Sequence, residues 1–117
     1  MEVHAITKNV RMSAQKMREV VRQIQGLPAL QAQAVLAVVP RKGARVVAKT
    51  LRSAMANAED LKEHKPEYRG LNVEALHVKE AVAQTASTLR RFTPKARGSA
   101  GPILKRHCHV KIVLSDE

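Results

Sequence analysis

Polar and apolar positions change their spacing along the first 26 residues, from a strand-like mixture to a helical repeat. Residues Glu2 to Val10 mix β-branched side chains with polar ones, which predicts a first strand. Ser13 then stands where a helix N-cap is expected. A helix after it would place four apolar residues on one face: Met17, Val20, Val21 and Ile24. Gly26 and Pro28 predict its end.

Two further helices are predicted before residue 62. The second runs from Leu30 to Val39 and ends before Pro40, and its inward residues are expected to be Leu30, Ala34, Val35 and Val38. The third begins at Arg41 and Lys42 and extends to about Leu61. Its apolar stripe keeps helical spacing throughout: Ala44, Val47, Ala48, Leu51, Ala54, Met55 and Ala58. Residues 62–70 are polar and contain Pro66 and Gly70, so they predict a loop.

The last third of the chain predicts two long antiparallel strands joined by a basic tip. The first begins at Leu71 and runs towards Leu89, with a bulge expected near Ala75, where the alternation changes parity. The return strand is expected to place Leu104, Cys108, Val110, Ile112 and Leu114 on one face, and His107, His109, Lys111 and Val113 on the other.

These elements predict an α+β fold in which three helices pack on a small antiparallel sheet, with a long protruding β-hairpin. The length of 117 residues fits a single domain, 1–117, within which residues 81–106 form an extended basic hairpin arm. An isolated two-stranded ribbon is marginally stable in water, so we expect a mobile arm in the free protein.

Targeting and redox signals are absent from the sequence. No apolar run approaches the roughly 20 residues of a membrane span, and the first residues lack the pattern of a secretory signal. A single cysteine, Cys108, excludes an internal disulfide and is compatible with a reducing cytosol.

The net charge of +11 is unevenly distributed. Residues 1–58 carry ten Lys and Arg against two acids, residues 59–80 carry four against six, and residues 81–117 carry seven against two. Two basic blocks therefore flank a mildly acidic segment. This asymmetry predicts a protein with one side that faces a polyanion and another that faces water.

The segment from Ala81 to Ser115 gives the clearest functional signal, because it contains no acid and seven cations. The middle of this segment, residues 90–102, has Phe92 as its only large apolar side chain, so it cannot form a core of its own. Arginines grip phosphate at two points, and glycines such as Gly98 allow close approach of the backbone. RNA is the polyanion that this pattern favours. A second, weaker candidate is a basic ridge on the third helix: Lys42, Arg45, Lys49 and Arg52.

Other chemistries lack a supporting pattern. His107, Cys108 and His109 have no further ligand nearby, whereas a structural zinc site needs about four, so we expect no metal and no cofactor. No phosphate-binding glycine motif, carboxylate pair or patterned nucleophile indicates an enzyme. Scarce aromatic residues argue against a base-stacking reader. A helical DNA-binding regulator is the main alternative, because three short helices with a basic ridge are compatible with a helix-turn-helix. A small RNA-processing enzyme is a third possibility.

Four stretches resemble a known family in order and spacing. They are VRMSAQKMR (10–18), IQG (24–26), SAMANAE (53–59) and LRRFTPKARG (89–98), and the last is followed by Lys105, Arg106, His109 and Val110. Over essentially its whole length the chain resembles ribosomal protein twenty-two of the large subunit, a universal family present in bacterial ribosomes.

The resemblance implies a structural constituent of the large subunit that binds its rRNA, assists assembly and has no catalytic activity. It implies a body near the mouth of the peptide exit tunnel and a hairpin whose tip lines the tunnel wall. Expected partners are large-subunit rRNA, neighbouring ribosomal proteins and the nascent polypeptide, with no membrane. The expected location is the cytoplasmic ribosome, with an organellar ribosome as the alternative. Residues and resemblance together give these RNA-binding candidates: Lys8, Arg11, Ser13, Lys16, Arg18, Lys42, Arg45, Arg90, Arg91, Lys95, Arg97, Gly98, Lys105 and Arg106. The expected tunnel-lining tip is Phe92, Thr93, Pro94, Lys95, Ala96, Arg97 and Gly98.

Overall fold

A three-stranded sheet and three helices form the body of the protein, and a separate two-stranded ribbon extends from it. This architecture is given by a computed structural model that describes residues 1–117. The helices are α1 (Ala14–Val21), α2 (Ala29–Val38) and α3 (Lys42–His64). The strands are β1 (Glu2–Val10), β2 (His77–Thr85), β3 (Leu89–Pro94), β4 (Ala100–Lys105) and β5 (Cys108–Ser115). The predicted α+β fold with three helices and a protruding hairpin is confirmed.

The body sheet has the order β1-β5-β2, and all its neighbouring strands are antiparallel. The central strand β5 is the most apolar because its inner face packs against the helices. Cys108, Val110, Ile112 and Leu114 are all fully buried, as their alternation predicts. Helix α3 lies against β1 and β5, and α1 lies against β2. The core therefore sits between one face of the sheet and the three helices.

Helix α1 begins as the sequence predicts. The Ser13 hydroxyl accepts a hydrogen bond from the Lys16 backbone N–H at 3.3 Å, which makes Ser13 the N-cap. Regular helix ends at Val21, three residues before the end of the apolar stripe, because the next backbone bonds span only three residues. Ile24 is still fully buried in this tightened turn. Gly26 has φ +80° and reverses the chain.

The connection from α1 to α2 covers the outer edge of β2. The Gly26 N–H donates to the Val78 carbonyl at 2.9 Å, and the Val78 N–H donates to the Leu27 carbonyl at 2.8 Å. The Ala29 N–H then donates to the Leu76 carbonyl at 3.0 Å. An uncovered edge strand is a site for unwanted pairing with other chains. Here the connecting segment forms hydrogen bonds with the free backbone groups at the edge of β2, so that edge is not open to other chains.

The predicted inward face of α2 is wrong except for Val35, which is partly buried against the core. Leu30 is 71% exposed and Val38 is 80% exposed, and Ala34 is exposed as well. The residues that face the core are Ala29, Ala32 and Leu36. Residues 29–39 contain no charged side chain. Because the helix is nearly apolar on every side, its pattern does not distinguish an inner from an outer face.

The predicted start of the long strand at Leu71 is also wrong. Residues Val73–Ala75 form a 3₁₀ turn, and the Asn72 side chain accepts a hydrogen bond from the Glu74 N–H at its start. The parity change in the sequence reflects this turn and not a bulge near Ala75. The irregularity in pairing lies between Val78 and Glu80, inside β2. Helix α3 reaches His64, beyond the predicted end at Leu61, and a further 3₁₀ turn follows at Pro66–Tyr68.

The arm is a ribbon of its own and not a continuation of the body strands. Strand β3 pairs only with β4, and the chain leaves the body through residues 86–88 and returns through residues 106–107. The Ala86 N–H donates to the His107 carbonyl at 3.1 Å and ties the two crossings together. Of the expected arm interval 81–106, residues 81–85 belong to β2, and Ala81 and Ala83 are buried.

The position of the ribbon gives the molecule its elongated shape, with extents of 67 × 28 × 17 Å. Leu104 was expected on the core face of the return strand, but it is 46% exposed. It lies in β4, beyond the reach of the helices that cover β5. No helix is both long and apolar enough to span a membrane.

Candidate nucleic-acid interface

A cleft lies where the arm joins the body, and we call it the junction cleft. It has a volume of about 720 Å³ and is lined by the start of α1 and by the roots of β3 and β4. Its lining contains no acid and consists of Arg11, Ser13, Gln15, Lys16, Leu89, Leu104, Lys105, Arg106 and His107. Five of the predicted RNA-binding residues therefore come together here, although Lys16 and Lys105 are far apart in sequence.

The start of α1 shapes one wall of the junction cleft. Ser13 uses its side chain to cap the helix, so the following residues are held on a regular turn. The exposed side chain of Lys16 projects from that turn towards the roots of the ribbon. The unpaired N–H groups of a helix N-terminus add partial positive charge to the same wall. The cleft is thus positive through both its side chains and its backbone.

Arg18 lies one turn further along α1, beside the junction cleft. It lines an adjoining depression of about 320 Å³ with Thr85, Thr88 and Arg106. Its Nε donates a hydrogen bond to the Ala83 carbonyl at 3.2 Å. One nitrogen of the guanidinium is therefore used to hold α1 to β2. The other two nitrogens have no protein partner and are available to an anion.

The remaining candidates are spread along the arm. The register pairs Arg90 with Leu104, Phe92 with Pro102 and Pro94 with Ala100 on one face of the ribbon. The other face carries Leu89 with Lys105, Arg91 with Ile103 and Thr93 with Gly101. Cations occur on both faces, so the arm can contact phosphate on more than one side.

A tight turn closes the tip of the arm. The Lys95 N–H donates to the Ser99 carbonyl at 2.7 Å, and the Ser99 hydroxyl donates to the Ala96 carbonyl at 2.8 Å. Between these bonds, Arg97 has φ 58° and Gly98 has φ 71°. Two successive left-handed residues are unusual for L-amino acids, and glycine is the residue that adopts this conformation without strain. The turn directs the Arg97 side chain outwards, where it is exposed.

The ridge on α3 lies outside the junction cleft. Lys42, Arg45 and Arg52, with Arg41, line a separate groove of about 850 Å³ whose other wall is the end of α2. Arg41 forms an ion pair with Glu19 at 3.3 Å, whereas the ridge residues form none. Lys8 lies in the irregular end of β1, where the pairing with β5 shifts between Thr7 and Val10. The structure therefore does not bring Lys8, Lys42 or Arg45 together with the cleft residues.

Ion pairs are concentrated at the end of the body opposite the arm. The Met1 ammonium lies 2.9 Å from Asp116, and Lys79 pairs with Glu2. The bond from the Met1 ammonium, with the Asn72 N–H, lowers the pKa of Asp116, and the bond from Lys79 lowers the pKa of Glu2. None of the cations in the junction cleft or on the arm has a carboxylate partner. The arm end therefore carries positive charge with no acid to balance it, as the ridge on α3 also does.

The His107, Cys108 and His109 side chains are not gathered around a common point. Cys108 is fully buried in the core, and burial raises the pKa of its thiol. His107 lines the junction cleft, whereas the Nδ1 of His109 accepts a hydrogen bond from the Asn9 N–H at 3.1 Å. No group of three His, Cys, Asp or Glu side chains is positioned to hold a metal ion.

Two polar residues of the junction cleft were not among the sequence candidates. Gln15 lies on the first turn of α1 between Ser13 and Lys16, and His107 follows Arg106 at the return of the arm. A signal for His107 exists in the alternation of β5, because a buried Cys108 places its neighbour on the outside. Gln15 has no comparable signal, since its place in the cleft depends on where the ribbon leaves the body.

Comparison with known proteins identifies the family. Residues 5–115 match the family model described as ribosomal protein L22p/L17e. The large ribosomal subunit protein uL22 of Opitutus terrae is 48% identical over 116 residues, which cover 99% of this chain and 96% of that protein. The uL22 proteins of Akkermansia muciniphila and Methylacidiphilum infernorum are 45% and 44% identical over 117 residues, which cover all of this chain and 98% and 96% of those proteins. The chain therefore belongs to the L22p/L17e family of ribosomal proteins, as its four motifs predict.

Proposed function

We propose that this protein binds the rRNA of the large ribosomal subunit as a non-catalytic structural constituent. The observation that supports this most directly is the group of cations at the arm end of the fold, where no acid lies among them. Ion pairs such as Met1–Asp116 and Lys79–Glu2 lie at the other end of the body, whereas the cations of the junction cleft and the arm have no acidic partner. A polyanion at the arm end would neutralise them.

The binding mechanism follows from the chemistry of these side chains. Arg90, Arg91, Arg97 and Arg106 offer guanidinium groups that can hold phosphate oxygens at two points, and the lysines act as point charges. The cations lie on both faces of the ribbon and in the cleft at its base, so they can screen phosphates of RNA segments on either side of the arm. Screening the repulsion between packed RNA segments is how the protein would assist subunit assembly.

We further propose that the tip of the arm, residues 92–98, lines the nascent-peptide exit tunnel. The ribbon carries its tip well away from the body, in a molecule 67 Å long. A thin, nearly core-free ribbon can pass between RNA segments while the body stays outside them. In this arrangement the nascent polypeptide and neighbouring large-subunit proteins are its further partners, in the ribosome of the cytoplasm.

A charge-matched pair of triple variants tests rRNA binding. One variant changes Arg11, Lys16 and Arg106 to Gln in the junction cleft. The control changes Lys62, Lys65 and Arg69 to Gln in the acidic segment, so that both proteins lose the same charge. Affinity for large-subunit rRNA is measured over a range of salt concentrations. Each lost phosphate contact reduces the slope of log affinity against log salt by about 0.7 to 0.9. The cleft variant should lose about two such contacts, and the control none.

Equal losses in the two variants would show that only net charge matters and would contradict the proposed site. A second measurement tests incorporation into the subunit. Tagged protein is sedimented from a cell lysate before and after a high-salt wash. Co-migration with the large subunit through the wash is the expected result. Release to the top of the gradient would contradict an arm embedded in RNA.

A further inference from the structure

One face of the ribbon is apolar apart from Arg90 and has no partner in the protein. Phe92, the only phenylalanine of the chain, is 76% exposed on it, directly across from Pro102. Pro94, Ala100 and Leu104 are exposed on the same face. Contiguous exposed apolar side chains rimmed by charged ones mark a contact surface, whereas a single exposed apolar residue does not. The body cannot supply that contact, because the ribbon pairs only with itself.

The opposite face of the ribbon is partly covered by the protein itself. The aliphatic part of the Lys95 side chain lies over Gly101, where a Cβ atom would come within 3.1 Å of Lys95 Cγ. Gly101 is buried in consequence, although it lies near the tip. The Phe92 face has no such cover. The ribbon is thus asymmetric, and only one side presents an open ring.

The charge around Phe92 determines which occupant fits. Arg90 is its neighbour on the same face, about 7 Å along the strand, and no acid occurs between residues 81 and 115. An apolar protein surface would leave the charge of Arg90 without a partner. A nucleotide offers both features that the face requires, because its base is a flat apolar ring and its backbone is anionic. When the base lies on Phe92, the phosphate of the nucleotide would lie within reach of the long Arg90 side chain.

We propose that Phe92 and Pro102 form a platform on which an unpaired base of RNA stacks, while Arg90 contacts the adjoining phosphate. This inference rests on the proposed function, since it assigns one base contact within the RNA interface. It also modifies the sequence-based expectation, drawn from the scarcity of aromatic residues, that the protein does not stack RNA bases. One aromatic ring is enough for a single stacked base, and such stacking tolerates any base because every base has a flat face.

The test compares two RNA probes and three proteins. The probes are a short oligoadenylate and an abasic oligoribonucleotide of the same length, which has the same phosphates and no bases. The proteins are the full-length chain, Phe92→Leu, which keeps an apolar side chain without a ring, and Phe92→Trp, which keeps a ring. Phe92 lies outside the hydrophobic core, so both variants should keep the circular-dichroism signal of the helices.

The unaltered chain should bind oligoadenylate more tightly than the abasic probe, and the ring should account for about 5- to 150-fold of affinity. Phe92→Leu should lose this preference with an unchanged salt slope, because no charge changes. Phe92→Trp should retain it. The proton resonances of a stacked Phe92 ring should also shift upfield when oligoadenylate binds and should not shift with the abasic probe.

Several outcomes would overturn the stacking proposal. One is that the preference for oligoadenylate over the abasic probe persists in Phe92→Leu. Another is that the unaltered chain shows no such preference. An equal loss of affinity for both probes in Phe92→Leu would mean that the ring contacts sugar. A leucine-rich peptide that displaces oligoadenylate from the unaltered chain would identify the face as a peptide-docking surface. In all these cases a steep salt slope would still support rRNA binding, whereas weak binding without salt dependence would refute the proposed function itself.

Discussion

The Nε of Arg18 in α1 donates a hydrogen bond of 3.2 Å to the carbonyl oxygen of Ala83 in β2. The Gln25 side chain donates in the same way to the Ala81 carbonyl. These two bonds continue the closure of the β2 edge that the backbone of residues 26–29 begins. Arg18 was interpreted from the sequence as an RNA contact. In the fold it also fixes α1, and with it one wall of the junction cleft, to the sheet.

Replacing Arg18 by Lys should destabilise the body although the charge is kept. The ammonium group of Lys is a flexible point charge and does not reproduce the directed Nε–H bond. The expected loss in the free energy of unfolding is about 1 kcal/mol, measured by urea denaturation. Arg22→Lys is the matched control, because Arg22 is exposed at the C-cap of the same helix and its side chain makes no hydrogen bond. Equal changes in the two variants would contradict the structural role of Arg18.

Much of the body could be predicted because its local signals agree with its tertiary contacts. Ser13 and Gly26 mark the ends of the α1 segment through backbone chemistry that needs no distant partner. The alternation in β5 is strong because that strand is central and one of its faces is packed by helices. Helix α2 is the opposite case. Its surface is apolar all round, so only its neighbours determine that Leu36 is buried and Leu30 is exposed.

The functional surface was predictable in its composition but not in its arrangement. The acid-free segment 81–115 indicates a polyanion partner directly. The junction cleft is a product of topology, because the order β1-β5-β2 places the return of the arm beside the start of α1. Alternation along β3 and β4 likewise defines two faces without showing that neither is covered by the body. The sequence placed Phe92 in the tip, but its position across from Pro102 on an uncovered face required the structure.

A pair of threonine hydroxyls links β1 to α3 and should be worth about 1 kcal/mol. The Oγ1 atoms of Thr7 and Thr50 are 2.6 Å apart, and Thr50 Oγ1 also donates to the Val46 carbonyl at 2.9 Å. Thr7 must therefore be the donor in the pair. Thr50→Val keeps the shape and removes the acceptor, so the Thr7 hydroxyl loses its partner in a largely buried site. Urea denaturation should show the loss.

A double-mutant cycle distinguishes the hydrogen bond from a simple packing effect. The variant with both Thr7→Val and Thr50→Val leaves no unpaired hydroxyl, so it should be more stable than the sum of the single changes predicts. Thr50→Ser, which keeps the hydroxyl, should retain most of the coupling with Thr7. Strict additivity of the two valine substitutions would show that the two hydroxyls do not interact.

The buried thiol of Cys108 should make stability fall in alkaline solution. Burial raises the pKa of Cys108, so the folded chain keeps its thiol proton at a pH where the unfolded chain has lost it. Above the ordinary thiol value of about 8.5, the unfolded state therefore binds fewer protons. In that range the free energy of unfolding decreases with pH, by at most about 1.4 kcal/mol per unit. The decrease ends at the raised pKa of the folded state.

Urea denaturation at neutral and alkaline pH measures this contribution against Cys108→Ala. The alanine variant is less stable at every pH because it creates a cavity. Its stability should nevertheless fall less steeply between neutral pH and the alkaline range than that of the unaltered chain. Parallel pH profiles for the two proteins would mean that the Cys108 thiol is as easily ionised in the folded state as in the unfolded one.

The left-handed turn at the tip should depend on Gly98. Its φ of 71° is unfavourable for any residue with a Cβ atom, although no neighbouring atom would obstruct one. Gly98→Ala should therefore destabilise the turn by about 1 to 2 kcal/mol. The Lys95 amide reports on this directly, because its N–H bonds to the Ser99 carbonyl across the turn. Its hydrogen exchange should accelerate about tenfold, whereas exchange at Val110 in the body should not change.

Gly70→Ala, a glycine substitution outside the arm and without a left-handed φ, should leave the Lys95 amide unaffected. Unchanged exchange of the Lys95 amide in Gly98→Ala would show that the turn does not require a left-handed residue at this position.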